Sequence, residues 1–266
     1  MKKMLTLTAA LALMASVVQA DVFSSNVVGY QKLDLAGKHA MVSSTFATIG
    51  AQGETFTLGE IKAEGMDPFG DTIQVLDLST AKTVGTYAYV DAAAAAGFGD
   101  PSAEGWWDVT LLGQEGGKRD ELPITAGQGF LCNVGSANVK LLYTGEVVAG
   151  GKEVVLLGKH HILSNLLPME IELGDIEAVG MDPFGDTIQD LDLSTAKTVS
   201  TYAYVDAAAA AGFGDPSAEG WWDVTLLGQE GGKRDDVIVA PGQGFLCNIG
   251  SPNVSFIFPD PLPEQD

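Results

Sequence analysis

Basic residues are scarce in this chain. Fourteen Lys and Arg stand against 35 Asp and Glu, for a formal net charge of −21. A balance that acidic excludes recognition of nucleic-acid phosphates or of an anionic bilayer by charge. Histidine is scarcer still, with only His39, His160 and His161. On an extended strand His160 and His161 would point to opposite faces, which makes a poor chelate, and His39 and His160 take equivalent places beside a turn. The chain has no His-Glu-x-x-His zinc pair and no Gly-x-Ser-x-Gly nucleophile elbow. It is therefore read as a non-enzyme.

Long apolar runs are missing after the first twenty residues, where nothing reaches the roughly 18 residues of a spanning helix. Those twenty residues have their own pattern. Lys2 and Lys3 precede an apolar run over 5–18, and Val18-Gln19-Ala20 offers small residues at a cleavage position. This is the pattern of a secretory signal peptide over residues 1–20. The expectation is a protein exported to the periplasm, the cell surface or the medium, with no membrane insertion.

Cysteine is limited to Cys132 and Cys247. Export makes a disulfide chemically possible. Each Cys lies in the same apolar strand pattern, however, in which Phe130 and Cys132 share one face. The expectation is two free thiols, each buried in its own part of the molecule, with a bridge as the alternative.

What the chain has in abundance is repetition. Residues 65–136 and 180–251 are nearly the same text, differing at a handful of positions that include Val75 against Asp190 and Gly85 against Ser200. Copies that match through turns as well as core positions mark a repeated unit. Around them lie short alternating segments with turn residues every eight to twelve positions, the pattern of strands. Strands are expected over 26–35, 38–46, 71–78, 83–90, 105–112, 127–134 and 138–147, and residues 47–56 form a loop with no equal in the second copy. Asp91 is placed to cap a helical stub over 92–96 and Gly97 to end it. In a strand through Val75, Leu76 and Leu78 would share one face. Because the second copy tolerates Asp190, the Val75 face is expected to be wet.

The fold expected is all-β with short helical stubs: two tandem, near-identical antiparallel domains of sandwich or barrel-like form. Their bounds are 21–148 and 149–258, followed by an acidic, Pro-rich tail at 259–266 that is expected to be disordered. The order of motifs carries a resemblance. A Gly turn before an apolar strand (37–43), Leu58-Gly59-Glu60-Ile61, a Tyr strand (86–89), a Trp strand (105–108) and Gly127-Gln128-Gly129-Phe130 together resemble a β-rich domain of exported bacterial proteins with no assigned function. The likeness covers nearly the whole mature chain, twice. It implies a secreted β fold and brings no catalytic residues.

Three features invite a chemical reading. Trp106-Trp107 and Trp221-Trp222 are strand neighbours, so one indole of each pair should leave the core. Flanked by Glu104 and Asp108, or by Glu219 and Asp223, an outward Trp could stack on a sugar ring, and two such sites would add avidity. A stub or a neighbouring lobe covering that Trp is the competing expectation. Asp67 and Asp71, like Asp182 and Asp186, put two carboxylates around a Pro/Gly turn. Calcium is the ion such oxygens would suit, although its shell needs about six to eight of them. Turn acceptors are the simpler reading. Residues 113–119 superficially look like a phosphate loop, but Arg119 stands where Ser or Thr should hold magnesium.

The leading expectation is a non-catalytic structural or adhesive module at or outside the cell envelope. Next comes a glycan-binding protein using one outward Trp per repeat. A glycosidase built on Glu104, Asp108 or Glu115, or a metal-dependent hydrolase, is third. No cofactor is expected beyond possible calcium, and the expected partners are a polysaccharide or another envelope or extracellular protein.

Overall fold

The structure, a computed structural model, describes residues 27–35, 39–43, 56–77, 80, 82–124, 129–147, 152–156, 159–192, 195 and 197–260. The expected signal peptide at 1–20, nearly all of the expected loop at 47–56 and most of the expected tail lie outside the described residues.

Strands dominate, and every pairing among the described residues is antiparallel. In the first half they are β1 (Val27–Asp34), β2 (His39–Ser43), β3 (Phe56–Thr57), β4 (Ile61–Glu64), β5 (Thr72–Leu76), β6 (Thr83–Val90), β7 (Gly105–Asp108), β8 (Pro123–Ile124), β9 (Gly129–Asn133) and β10 (Lys140–Val147). They form a three-stranded sheet in the order β1-β10-β4, a five-stranded sheet β2-β9-β5-β6-β7, and the pair β3-β8. The second half continues with β11 (Lys152–Val155), β12 (His160–Ser164), β13 (Ile171–Glu172), β14 (Glu177–Val179), β15 (Thr187–Leu191), β16 (Thr198–Val205), β17 (Gly220–Asp223), β18 (Ile238–Val239), β19 (Gly244–Asn248) and β20 (Ser255–Phe258). Its sheets are β11-β20-β14, β12-β19-β15-β16-β17 and β13-β18, the same three sheets again.

Alternation along the strands explains where the core sits. On β9, Phe130 and Cys132 turn inward, joined by Ile73, Tyr87, Tyr89 and Trp106 from the same sheet. Ile61, Ala63, Leu141 and Tyr143 come from the three-stranded sheet, so the two sheets close on one core. Each large side chain fully buried there contributes about 1.5–3 kcal/mol. The second half builds an equivalent core around Ile188, Tyr204, Trp221, Phe245, Cys247 and Phe256. Cys132 and Cys247 are free and buried, one in each core. Burial pushes both thiols up to about 12.

The halves touch along β2, β9, β12 and β19. Gly129 on β9 lies against Ile162 of β12, close enough that an added Cβ would sit 2.8 Å from the Ile162 carbonyl oxygen. Gly244 on β19 lies in the same way against Met41 of β2, with 2.9 Å to the Met41 carbonyl oxygen. Met41 and Ile162 occupy equivalent positions, as do the two glycines. The junction therefore uses one device twice, related by an approximate two-fold.

Two expectations need correction. The Trp strand ends at Asp108 rather than running to 112, because the Asp108 carboxylate caps a 3-10 turn, Val109–Leu111, by accepting the Thr110 N–H at 2.9 Å. The Val75 face is half-covered rather than open to solvent. Val75 packs against the first core, and Asp190 is half-buried in a cleft between the halves. Val75 shares its strand face with buried Ile73, and the register shift that follows leaves the extra residue on the partner strand, Val84 of β6 and Val199 of β16, both exposed.

Candidate functional site

The Trp pairs occupy opposite faces of their strands, as period-two geometry requires. Trp106 and Trp221 are fully buried, each donating its indole N–H to a backbone carbonyl at 2.7 Å, that of Ile61 or Ile176. Each also meets a Tyr ring edge-on, Tyr89 or Tyr204, with centroids 5.1 Å apart. The other Trp of each pair is not a bare platform. Trp107 packs with Val90, Ala94, Ala95 and Ala103, and its indole N–H donates to the Ala103 carbonyl at 2.8 Å. Trp222 repeats this against Val205, Ala210 and Ala218, retaining 9% exposure. The cover is the helical stub, α1 (Ala92–Gly97) or α2 (Ala207–Gly212), started by an Asp91 or Asp206 carboxylate that accepts a helical N–H at 2.7 Å. A six-residue helix is too short to persist alone. The Trp and the stub hold each other in place.

The flanking carboxylates have protein partners of their own. Glu104 accepts the Tyr89 hydroxyl at 3.3 Å and lies 3.4 Å from the Lys62 ammonium. Burial, then the neighbouring Glu104 charge and hydrogen bond, push the Tyr89 hydroxyl far above its ordinary range. Tyr204 rises to about 12, from burial first and then the nearby Glu219 charge, while the Glu219 side chain stays exposed. Asp108 accepts from the Thr110 hydroxyl at 2.6 Å and stands 3.6 Å from Arg119, and Asp223 accepts from Thr225 at 2.6 Å and stands 3.9 Å from Arg234. Arg119 in turn donates to the Gly116 carbonyl, closing the glycine-rich loop on itself.

The paired Asp residues are structural in their contacts. Asp71 and Asp186 are buried, and Asp67 and Asp182 accept the N–H two residues on, from Phe69 and Phe184. Burial would raise the pKa of Asp71. The Ser136 side chain and the N–H groups of Asp67, Gly135 and Ser136 outweigh it and hold the carboxyl below its ordinary value. Asp186 behaves alike through Ser251, Asp182 and Gly250. Among the described residues, no three His, Cys, Asp or Glu side chains form a group that could hold a metal ion.

The exposed aromatic surface lies elsewhere. Phe69, at the tip of the Asp67–Asp71 turn, is 75% exposed, and Phe98, which ends the stub, is 47% exposed. Their rings meet edge to face, 6.1 Å apart at 80°. Phe184 and Phe213 repeat the pair at 6.0 Å and 79°, with 75% and 46% exposure. Such pairs gain about 0.5–1.5 kcal/mol from ring contact, but two rings left in water invite a partner. Sequence reasoning did not single these residues out. The available signal was an aromatic residue inside turn-forming text, Asp-Pro-Phe-Gly-Asp and Gly-Phe-Gly-Asp, where no strand or helix could bury it.

No protein-family model matches this chain, and no curated protein or solved structure matches it either. Among the described residues no helix is long and apolar enough to cross a membrane.

Proposed function

We propose that this is a non-catalytic, exported module of two tandem β-domains, serving a structural or adhesive role at or outside the cell envelope. The two Phe pairs are its points of contact. One observation carries the proposal: the same aromatic pair stands exposed in both copies, Phe69 with Phe98 and Phe184 with Phe213. Two equivalent apolar contacts on one chain bind a repetitive partner with avidity beyond either alone. The strongly acidic surface keeps copies of the protein apart while these rings stay open to another partner.

The test is adhesion of the purified mature protein to isolated cell-envelope material, read by surface plasmon resonance. The Phe69→Ser/Phe184→Ser double variant should lose at least about tenfold in apparent affinity, and each single variant should lose less. Unchanged binding by the double variant would remove the Phe pairs from the role. Glycan recognition by the Trp strand is the second reading, favoured by half-buried Trp107 rather than by the better-covered Trp222. A panel of soluble polysaccharides against Trp107→Phe distinguishes it.

A further inference from the structure

The halves leave between them a cleft of about 360 Å³, walled by residues 33–35 and 40–42 of the first half and 190–191 and 240–244 of the second. That volume lies within the range of small-molecule sites, about 300–1,000 Å³. Its walls are mainly apolar, with Leu35 and Met41 on one side and Leu191 and Pro241 on the other. Into this wall the second copy places Asp190, where the first copy has Val75. The Asp190 carboxylate is half-buried and accepts the Leu191 N–H. Asp34 is exposed, also on the lining, and no Lys, Arg or His occurs among the described residues that line the cleft.

A half-buried carboxylate in a mainly apolar wall is costly, and the cost falls when a counter-charge arrives. Two carboxylates are too few for calcium, which takes about six to eight oxygens. The apolar walls call for a hydrocarbon body rather than a hydrated ion. We infer that the cleft binds a small organic cation, a primary ammonium carried on an aliphatic chain. The ammonium sits at Asp190 and the chain lies between Met41 and Pro241. The desolvation that disfavours the Asp190 charge points the same way.

The test is an amide-resolved NMR titration of the whole mature protein with n-hexylammonium chloride and, separately, hexan-1-ol, its neutral isostere. Physiological salt screens general attraction to the acidic surface. Hexylammonium should give saturable shifts at Leu33, Leu191 and residues 242–244, with an affinity about tenfold above that of hexanol. Asp190→Asn and Asp190→Val should each abolish that preference. Val is the residue the first copy already carries at this position, and the shape-conserving Asn variant guards against a change of packing. Three results would overturn the inference: non-saturating shifts scattered over the acidic surface, equal affinity for the two probes, or a preference that survives in Asp190→Asn.

Discussion

Asp71 Oδ1 accepts the backbone N–H of Gly135 at 2.6 Å and that of Ser136 at 3.1 Å, tying two turns that lie 64 and 65 residues apart in the chain. Its Oδ2 accepts the Asp67 N–H at 2.8 Å, so one buried side chain holds both turns. Asp186 makes the same clasp to Gly250, Ser251 and Asp182. Without the carboxylate, several backbone donors lose their acceptor.

Asp71→Ala and Asp186→Ala are each expected to destabilise the protein by about 2–4 kcal/mol, measured by denaturant unfolding at neutral pH. The pH dependence has a definite sign. The folded pKa of both groups lies below the ordinary aspartate value of 3.8. Their stabilisation is therefore present above 3.8 and is lost as pH falls through the lower folded values. The parent should lose stability through that acid window, and the double variant should lose less.

An aqueous quencher should reach little of the Trp emission. Trp106 and Trp221 are fully buried and Trp222 nearly so, leaving half-buried Trp107 as the accessible indole. Trp107→Phe should remove most of the quenchable fraction. Iodide quenching of the parent and this variant checks it, and efficient quenching of about half the emission would mean the stubs do not cover their Trp residues.

Both thiols should be silent in the native protein. Cys132 and Cys247 are buried, and their pKa values near 12 leave almost no thiolate at mild alkaline pH. A thiol-specific chromogenic reagent at about pH 8 should label neither Cys until denaturant is added and then label both.

Two glycines make a contrasting pair. A Cβ on Gly85 would lie 2.2 Å from the hydroxyl of Tyr87, the movable end of a side chain. The second copy already carries Ser200 there, and its Tyr202 ring instead meets Phe245 edge-on. Gly85→Ser should cost under about 1 kcal/mol. A Cβ on Gly117 would meet the Leu111 carbonyl oxygen at 2.2 Å, which is fixed backbone. Gly117→Ala should cost about 2 kcal/mol or more, and thermal unfolding of the two variants decides between the positions.

Local rules reached much of this structure. The strand Thr83–Val90 ends where alternation and turn residues put it, and Asp91 caps the stub as its side chain and place suggest. The opposite faces of Trp106 and Trp107 follow from strand pleating alone. What covers Trp107 does not, because Ala95 and Ala103 reach it only after the chain folds back. The pairing of Phe69 with Phe98 is long-range in the same sense: each sits in a separate turn, and neither turn encodes the other's position. The bulge at Val84 is equally illegible, since which residue of β6 is skipped opposite Val75 and Leu76 is set by the pairing of two strands and not by the text of either.

The reciprocal seating of Gly129 on Ile162 and Gly244 on Met41 is what a symmetric pair of identical subunits would show. Here the partners are consecutive lengths of one chain, so their encounter needs no second molecule and does not depend on dilution. In a true dimer of identical chains, any substitution appears on both sides of the axis at once. Once the partners are joined end to end, one side is free to drift while the other is conserved. Val75 in one half and Asp190 at the equivalent place in the other are such a difference.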